Sequence, residues 1–212
     1  EVPNMQQRIA DLAMIEGKVS ICATEMMESM RTNHRPTRAE VADVAGAVRE
    51  GFSAVMLSAE TATGYDPINA VSAMARICDA NETHDGHKSF ADAHPTESAV
   101  GAATAALAKR TGASSIIALT YSGYSSEILS ACRPAAQIIA ATPSHETARR
   151  LRLHWGVTPL VCQRNVDMTV AVDDAFNAAL DAGLVQFNEL VVVCASRENI
   201  RSAADTIWVH NA

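Results

Sequence analysis

The sequence predicts an α/β fold in which parallel strands alternate with helices. Short apolar runs, typical of buried strands, alternate with longer helical segments, and the connections between them are short. Local signals mark the helix ends: Thr37 and Glu40 have capping-box spacing, Gly51 supplies a left-handed stop, and Asp66 with Pro67 opens the next helix. Each helix returns the chain to the same end of the sheet, so this alternation requires parallel pairing.

The first part of the chain contains three predicted helices and two predicted strands. The helices are expected at residues 4–16, 37–50 and 66–80, and the strands at residues 18–23 and 53–57. Two strands alone would leave unpaired backbone at their edges, so we expect further strands to pair with them.

A polar, aperiodic stretch at residues 83–95 predicts a linker. It contains His84, His87 and His94, but no acidic or cysteine partner stands at ligand spacing, so solvated histidines are expected. A second, more complete α/β series follows. Its expected strands are residues 115–119, 137–141, 157–161, 190–194 and 206–209, and its expected helices are residues 96–110, 125–132, 144–153 and 166–182.

The composition of the chain argues against two classes of partner, nucleic acids and membranes. The net charge of −7 argues against a nucleic-acid partner, because phosphate backbones require a basic surface. Apolar runs are shorter than the ~20 residues that span a bilayer, and no signal-peptide pattern is present, so no membrane contact is expected. The cysteines have mostly apolar neighbours and no CxxC spacing, which indicates buried thiols in a reducing cytoplasm. They are Cys22, Cys78, Cys132, Cys162 and Cys194.

Three segments resemble pyruvate kinases. Residues 20–30 read Ser-Ile-Cys-Ala-Thr-Glu-Met-Met-Glu-Ser-Met, residues 35–45 read Arg-Pro-Thr-Arg-Ala-Glu-Val-Ala-Asp-Val-Ala, and residues 54–62 read Ala-Val-Met-Leu-Ser-Ala-Glu-Thr-Ala. They are similar to the signature near the end of that family's catalytic barrel.

The resemblance to pyruvate kinases implies the domain organisation. Residues 1–82 would be the carboxyl-terminal part of the catalytic barrel, an incomplete (β/α)8 TIM-barrel segment. Residues 83–95 would be the linker, and residues 96–212 the three-layer α/β regulatory domain.

Candidate site residues in the first part follow the two predicted strands. Thr24 comes directly after one strand, and Ser58 and Glu60 come after the next, where barrel enzymes assemble their active sites. From spacing alone, Thr24 and Ser58 could instead merely begin ordinary loops, as hydroxyl residues often do. The resemblance implies that Thr24 is catalytic and contacts an enol-phosphate substrate, with Ser58 and Glu60 lining or supporting the same pocket.

Arg35 and Arg38 allow two interpretations. The resemblance implies subunit contacts in this region, whereas the residues by themselves are equally typical of a solvated helix start.

The loop after the first strand of the second part is a candidate effector site. Thr120, Ser122, Gly123 and Ser125 combine hydroxyl groups, a flexible glycine and a helix start, which suits a phosphate. The alternative is an ordinary helix N-cap by Ser122 or Ser125. The resemblance implies a sugar-phosphate effector at this loop, although Tyr124 stands where the family usually has an arginine.

The activity implied by the resemblance is phosphoryl transfer between phosphoenolpyruvate and ADP, giving pyruvate and ATP in glycolysis. It implies Mg²⁺ or Mn²⁺, K⁺ and a cytoplasmic homotetramer. In the family the catalytic lysine and the metal ligands precede this region, so no metal ligand is expected in the chain and the chain alone is expected to be inactive. Two alternatives stay open: a stand-alone, non-catalytic ligand-binding or regulatory module, and one half of a split enzyme.

Overall fold

The computed structural model describes residues 2–82, 95–163, 165, 167–196 and 204–211. The chain divides into a first compact unit of residues 1–14 and 18–83 and a second unit that holds the rest. The predicted linker, with its three histidines, lies outside the described residues except for Pro95, which begins a helix. In the described part of the chain, no helix is long and apolar enough to cross a membrane.

Helices and strands alternate through both units, as the sequence predicts. The helices are α1 (Val2–Ile15), α2 (Arg38–Glu50), α3 (Ala59–Ala62), α4 (Pro67–Asn81), α5 (Pro95–Thr111), α6 (Tyr124–Ala131), α7 (His145–Leu151) and α8 (Met168–Asp181), with a 3₁₀ helix at Glu28–Arg31. The strands are β1 (Ile21–Cys22), β2 (Ala54–Val55), β3 (Ser115–Leu119), β4 (Gln137–Thr142), β5 (Val157–Val161), β6 (Leu190–Ala195) and β7 (Thr206–Asn211).

The first unit contains a two-stranded parallel sheet. Ile21 pairs with Ala54 and Cys22 with Val55, and the Met56 N–H extends the pairing by donating to the Cys22 carbonyl over 2.9 Å. Both strands are shorter than predicted, because each has a single pairing partner within the described residues and a strand needs a neighbour to hold its extended backbone.

The helix ends of the first unit form as their sequence signals predict. The Glu40 N–H donates to the Thr37 hydroxyl over 3.2 Å, and the Glu40 carboxylate accepts the Thr37 N–H over 2.7 Å, which completes the capping box. Gly51 ends α2 with a φ of 90°, and Asp66 caps α4 by accepting the Asn69 N–H.

The second unit is a three-layer α/β domain built on a five-stranded sheet in the order β5-β4-β3-β6-β7. Alternate residues of the central strands feed two separate cores. Ile117 and Val193 pack on the α8 side, whereas Ile116 and Val192 pack with Ala108 of α5. These layers, with the parallel pair β1–β2, confirm the predicted fold class. The edge strand β7 is antiparallel to β6.

The five cysteines are free thiols. Cys194 is buried and the other four are half-buried, so burial is less complete than predicted. Burial raises the pKa of the Cys194 thiol to about 12 and that of Cys132 to about 11. Both thiols are therefore neutral near physiological pH and poorly suited to act as nucleophiles.

Candidate functional site

The candidate site lies where β1 and β2 end side by side. Thr24 lies exposed in the loop that follows β1, Ser58 is half-buried before α3, and Glu60 is buried in the first turn of α3. Since β1 and β2 run parallel, their carboxyl ends and both loops share one edge of the sheet.

The backbone around Thr24 adopts an uncommon conformation. Thr24 has a φ of 70° and Glu25 a φ of 54°, so two consecutive residues other than glycine lie in the left-handed region. Such a conformation is unfavourable for a β-branched residue and persists only where the surroundings fix the chain. The Thr24 hydroxyl donates to the Ala23 carbonyl over 2.6 Å.

Three methionines anchor this loop in the core of the first unit. Met26, Met27 and Met30 are buried and pack with Val44 and Phe52, among others. Unbranched side chains fill irregular spaces well, so these methionines serve packing.

Glu60 joins the two loops of the candidate site. Its side chain is 1% exposed, and its two carboxylate oxygens accept the N–H groups of Met27, over 3.0 Å, and Ser58, over 2.8 Å. The first of these bonds reaches the loop after β1 and the second the loop after β2. Both oxygens are thus engaged by backbone N–H groups.

The Glu60 carboxylate is stabilised in its charged form. Burial raises its pKa, but N–H donors from its own backbone, Ser58 and Met27 outweigh burial, and the pKa lies below the ordinary value for glutamate. Near neutral pH Glu60 is therefore a charged acceptor, which makes both hydrogen bonds stronger than bonds to a neutral group.

Glu40 makes a second connection to the same loop, which sequence reasoning did not find. Besides capping α2, its carboxylate accepts the Ser29 N–H over 2.7 Å and the Ser29 hydroxyl. The capping-box pattern predicts only the Thr37 contacts, because nothing in the local spacing signals a partner at Ser29. Glu60 and Glu40 thus hold the segment Met27–Ser29 at its two ends.

Arg35 and Arg38 are both exposed at the start of α2. Their exposure is compatible with either predicted interpretation, a subunit contact or a solvated helix start.

The candidate effector loop of the second unit makes hydrogen bonds both within itself and to Ala204. The Thr120 hydroxyl accepts the Gly123 N–H over 2.9 Å, and the Ser125 hydroxyl accepts the Ala204 N–H over 3.2 Å. Gly123, with a φ of 94°, is the N-cap of α6, so neither Ser122 nor Ser125 occupies that position.

Arg150 brings a cation to this loop from α7. Its guanidinium donates to the Ser122 carbonyl and lies 3.2 Å from a Glu127 carboxylate oxygen. The φ of Gly123 would strain any other residue, and a Cβ there would come within 2.9 Å of that guanidinium. A guanidinium thus lies beside this loop although Tyr124 stands at the arginine position of the family, and sequence spacing did not reveal it.

The described residues do not form a metal site. Within that part of the chain, no group of three or more His, Cys, Asp or Glu side chains is placed to hold a metal ion.

Comparison with known proteins matches both units to one family. Residues 1–71 match the pyruvate kinase barrel domain, and residues 98–210 match the pyruvate kinase α/β domain. The chain belongs to the pyruvate kinase family. By this assignment β1 and β2 are strands of the family's barrel, and the five-stranded sheet is its α/β domain.

Relatives of the chain bear the name pyruvate kinase in several bacteria. The chain is 44% identical to a protein of Methylorubrum extorquens over 90% of its own length and 40% of the relative's. It is 40% identical to a protein of Agrobacterium vitis over 91% of its own length and 42% of the relative's. The chain thus spans about two fifths of the length of the curated relatives it matches.

Proposed function

We propose that the chain is the carboxyl-terminal part of a pyruvate kinase, which transfers a phosphoryl group between phosphoenolpyruvate and ADP. The observation that supports this most is the order of the two matches, barrel domain and then α/β domain, along one chain. In the reaction the enol-phosphate P–O bond breaks, a new P–O bond forms to ADP, and the released enolate gains a proton at carbon to give pyruvate.

The proposal gives Thr24 the catalytic position. Its hydroxyl lies exposed at the carboxyl end of a barrel strand, where barrel enzymes bind their substrates. Its side chain would contact the substrate close to the carbon that is protonated, as the family resemblance implies. Ser58 lies on the neighbouring loop and would contribute to the same pocket.

The remaining parts of the reaction would come from the rest of the barrel. The matched relatives are more than twice as long as the aligned segment, so they have room for a catalytic lysine and metal ligands outside it. Mg²⁺ or Mn²⁺ and K⁺ would bind there, and the chain by itself would be inactive. The whole enzyme would be a cytoplasmic homotetramer.

A regulatory function of the second unit is a further part of the proposal. The Thr120–Ser125 loop, with the Arg150 guanidinium beside it, would bind the phosphate of a sugar-phosphate effector. The complete sheet and the two cores of this unit also suit the alternative of a stand-alone binding module.

The intact mass of the native polypeptide separates these possibilities. In cells of the source organism, the polypeptide that contains residues 23–27 should have a mass well above the 22.5 kDa of the chain. A native mass of 22.5 kDa would instead favour the stand-alone module or the split enzyme, and restored activity on mixing with a separate amino-terminal chain would identify the latter.

A further inference from the structure

The segment between Thr24 and the 3₁₀ helix is held in place by contacts from other elements. Thr24 and Glu25 both have positive φ values, an unfavourable conformation that persists only where neighbouring contacts fix it. The 3₁₀ helix that follows has no side-chain cap of its own at Met27. Contacts from other elements must therefore set the path of the loop.

Glu60 supplies such a contact to the backbone N–H of Met27, which has no hydrogen-bond acceptor within the 3₁₀ helix that it precedes. The Met27 N–H is buried and donates to a Glu60 oxygen from 33 residues away. The other oxygen takes the Ser58 N–H at the start of α3. One rigid carboxylate therefore fixes the distance between the loop that carries Thr24 and the loop that carries Ser58.

Glu40 fixes the far end of the same segment through Ser29. Because Met27 and Ser29 are both held, the loop that carries Thr24 and Glu25 leads directly into an anchored segment. These two carboxylates therefore restrict the position of the segment that follows Thr24.

We infer that Glu60 is a positioning residue for Thr24, acting through the Met27 and Ser58 N–H groups and without touching the substrate. This inference rests on the proposed function, because it concerns the pocket in which Thr24 would act. A shift of about 1 Å in a group that contacts the substrate can cost up to a hundredfold in rate, so a backbone clamp of this kind matters for the reaction.

The test uses a completed chimera, in which the amino-terminal remainder of the Methylorubrum extorquens pyruvate kinase precedes the full 212-residue chain. Glu60→Gln keeps the volume of the side chain but removes its charge and one acceptor. We expect kcat to fall about tenfold, with exchange of the Met27 and Ser58 amides accelerated by about the same factor. Glu28→Gln is the matched control, because Glu28 lies in the same segment but is exposed and paired with Arg31.

A double-mutant cycle separates positioning from general loss of folded protein. If Glu60 acts through Thr24, Glu60→Gln should lower kcat less than about twofold when Thr24 is already alanine. An equal loss of kcat in both backgrounds would overturn the inference, as would unchanged exchange of the Met27 and Ser58 amides. A folded parent chimera that forms no pyruvate would contradict the proposed function instead, while amide exchange in that protein would still test whether Glu60 holds the two loops.

Discussion

Replacing Thr24 by alanine in the completed chimera is expected to lower kcat by about 10²-fold or more. General acid–base contributions of a single side chain are typically of this size, and the substitution removes the hydroxyl that would lie beside the carbon to be protonated. The loss should fall on kcat more than on KM, because the hydroxyl matters most as the enolate forms. Steady-state rates of pyruvate formation provide the measurement.

Two control variants test whether the loss of activity depends on the hydroxyl group of Thr24. Thr24→Ser retains a hydroxyl and should keep most of the activity. Thr63→Ala removes another exposed hydroxyl that, like that of Thr24, donates to a nearby backbone carbonyl, and should leave kcat unchanged. Full activity of Thr24→Ala would exclude a catalytic function for this residue.

The first unit is expected to be almost unprotected against amide exchange in the isolated 212-residue chain. Apolar side chains stand exposed on two of its helices: Val2 is 78% exposed on α1 and Ile68 is 80% exposed on α4, with Met5, Ile9, Leu12 and Val71 exposed beside them. Each would contribute stability only once another element covers it. Its sheet has two strands, which is marginal in water.

Hydrogen exchange measured by mass spectrometry tests the stability of both units together. Amides of residues 19–23 should exchange nearly as fast as in an unfolded peptide, whereas those of β3, in the centre of the second sheet, should be slower by about 10³-fold or more. Both tryptophans, Trp155 and Trp208, lie in the second unit, so their fluorescence independently reports that this unit is folded. Strong protection of residues 19–23 in the isolated chain would show that the first unit is stable by itself.

Local chemistry made much of the fold predictable. The capping box of Thr37 and Glu40, the glycine stop at Gly51 and the Asp66 cap each depend on residues within a few positions, so the sequence shows them directly. The central strands of the second unit, β3, β4 and β6, were predictable because they are short, apolar and buried on both faces. Strand lengths in the first unit were overestimated, because length depends on pairing partners that sequence spacing does not show.

The candidate site was predictable in its residue types but not in its connections. Thr24, Ser58 and Glu60 could be proposed from their places after two strands. The burial of Glu60 and its contact with Met27 could not be predicted, because the two residues are 33 positions apart and meet only when β1 and β2 pair. The position of Arg150 beside Ser122 depends in the same way on the packing of α7 near the loop.

The most direct measurement of the central proposal compares pyruvate formation by the isolated chain and by the completed chimera. With phosphoenolpyruvate, ADP, Mg²⁺ and K⁺ supplied, we expect metal-dependent pyruvate formation from the chimera and none from the 212-residue chain. Activity of the isolated chain, or a folded chimera without activity, would contradict the account.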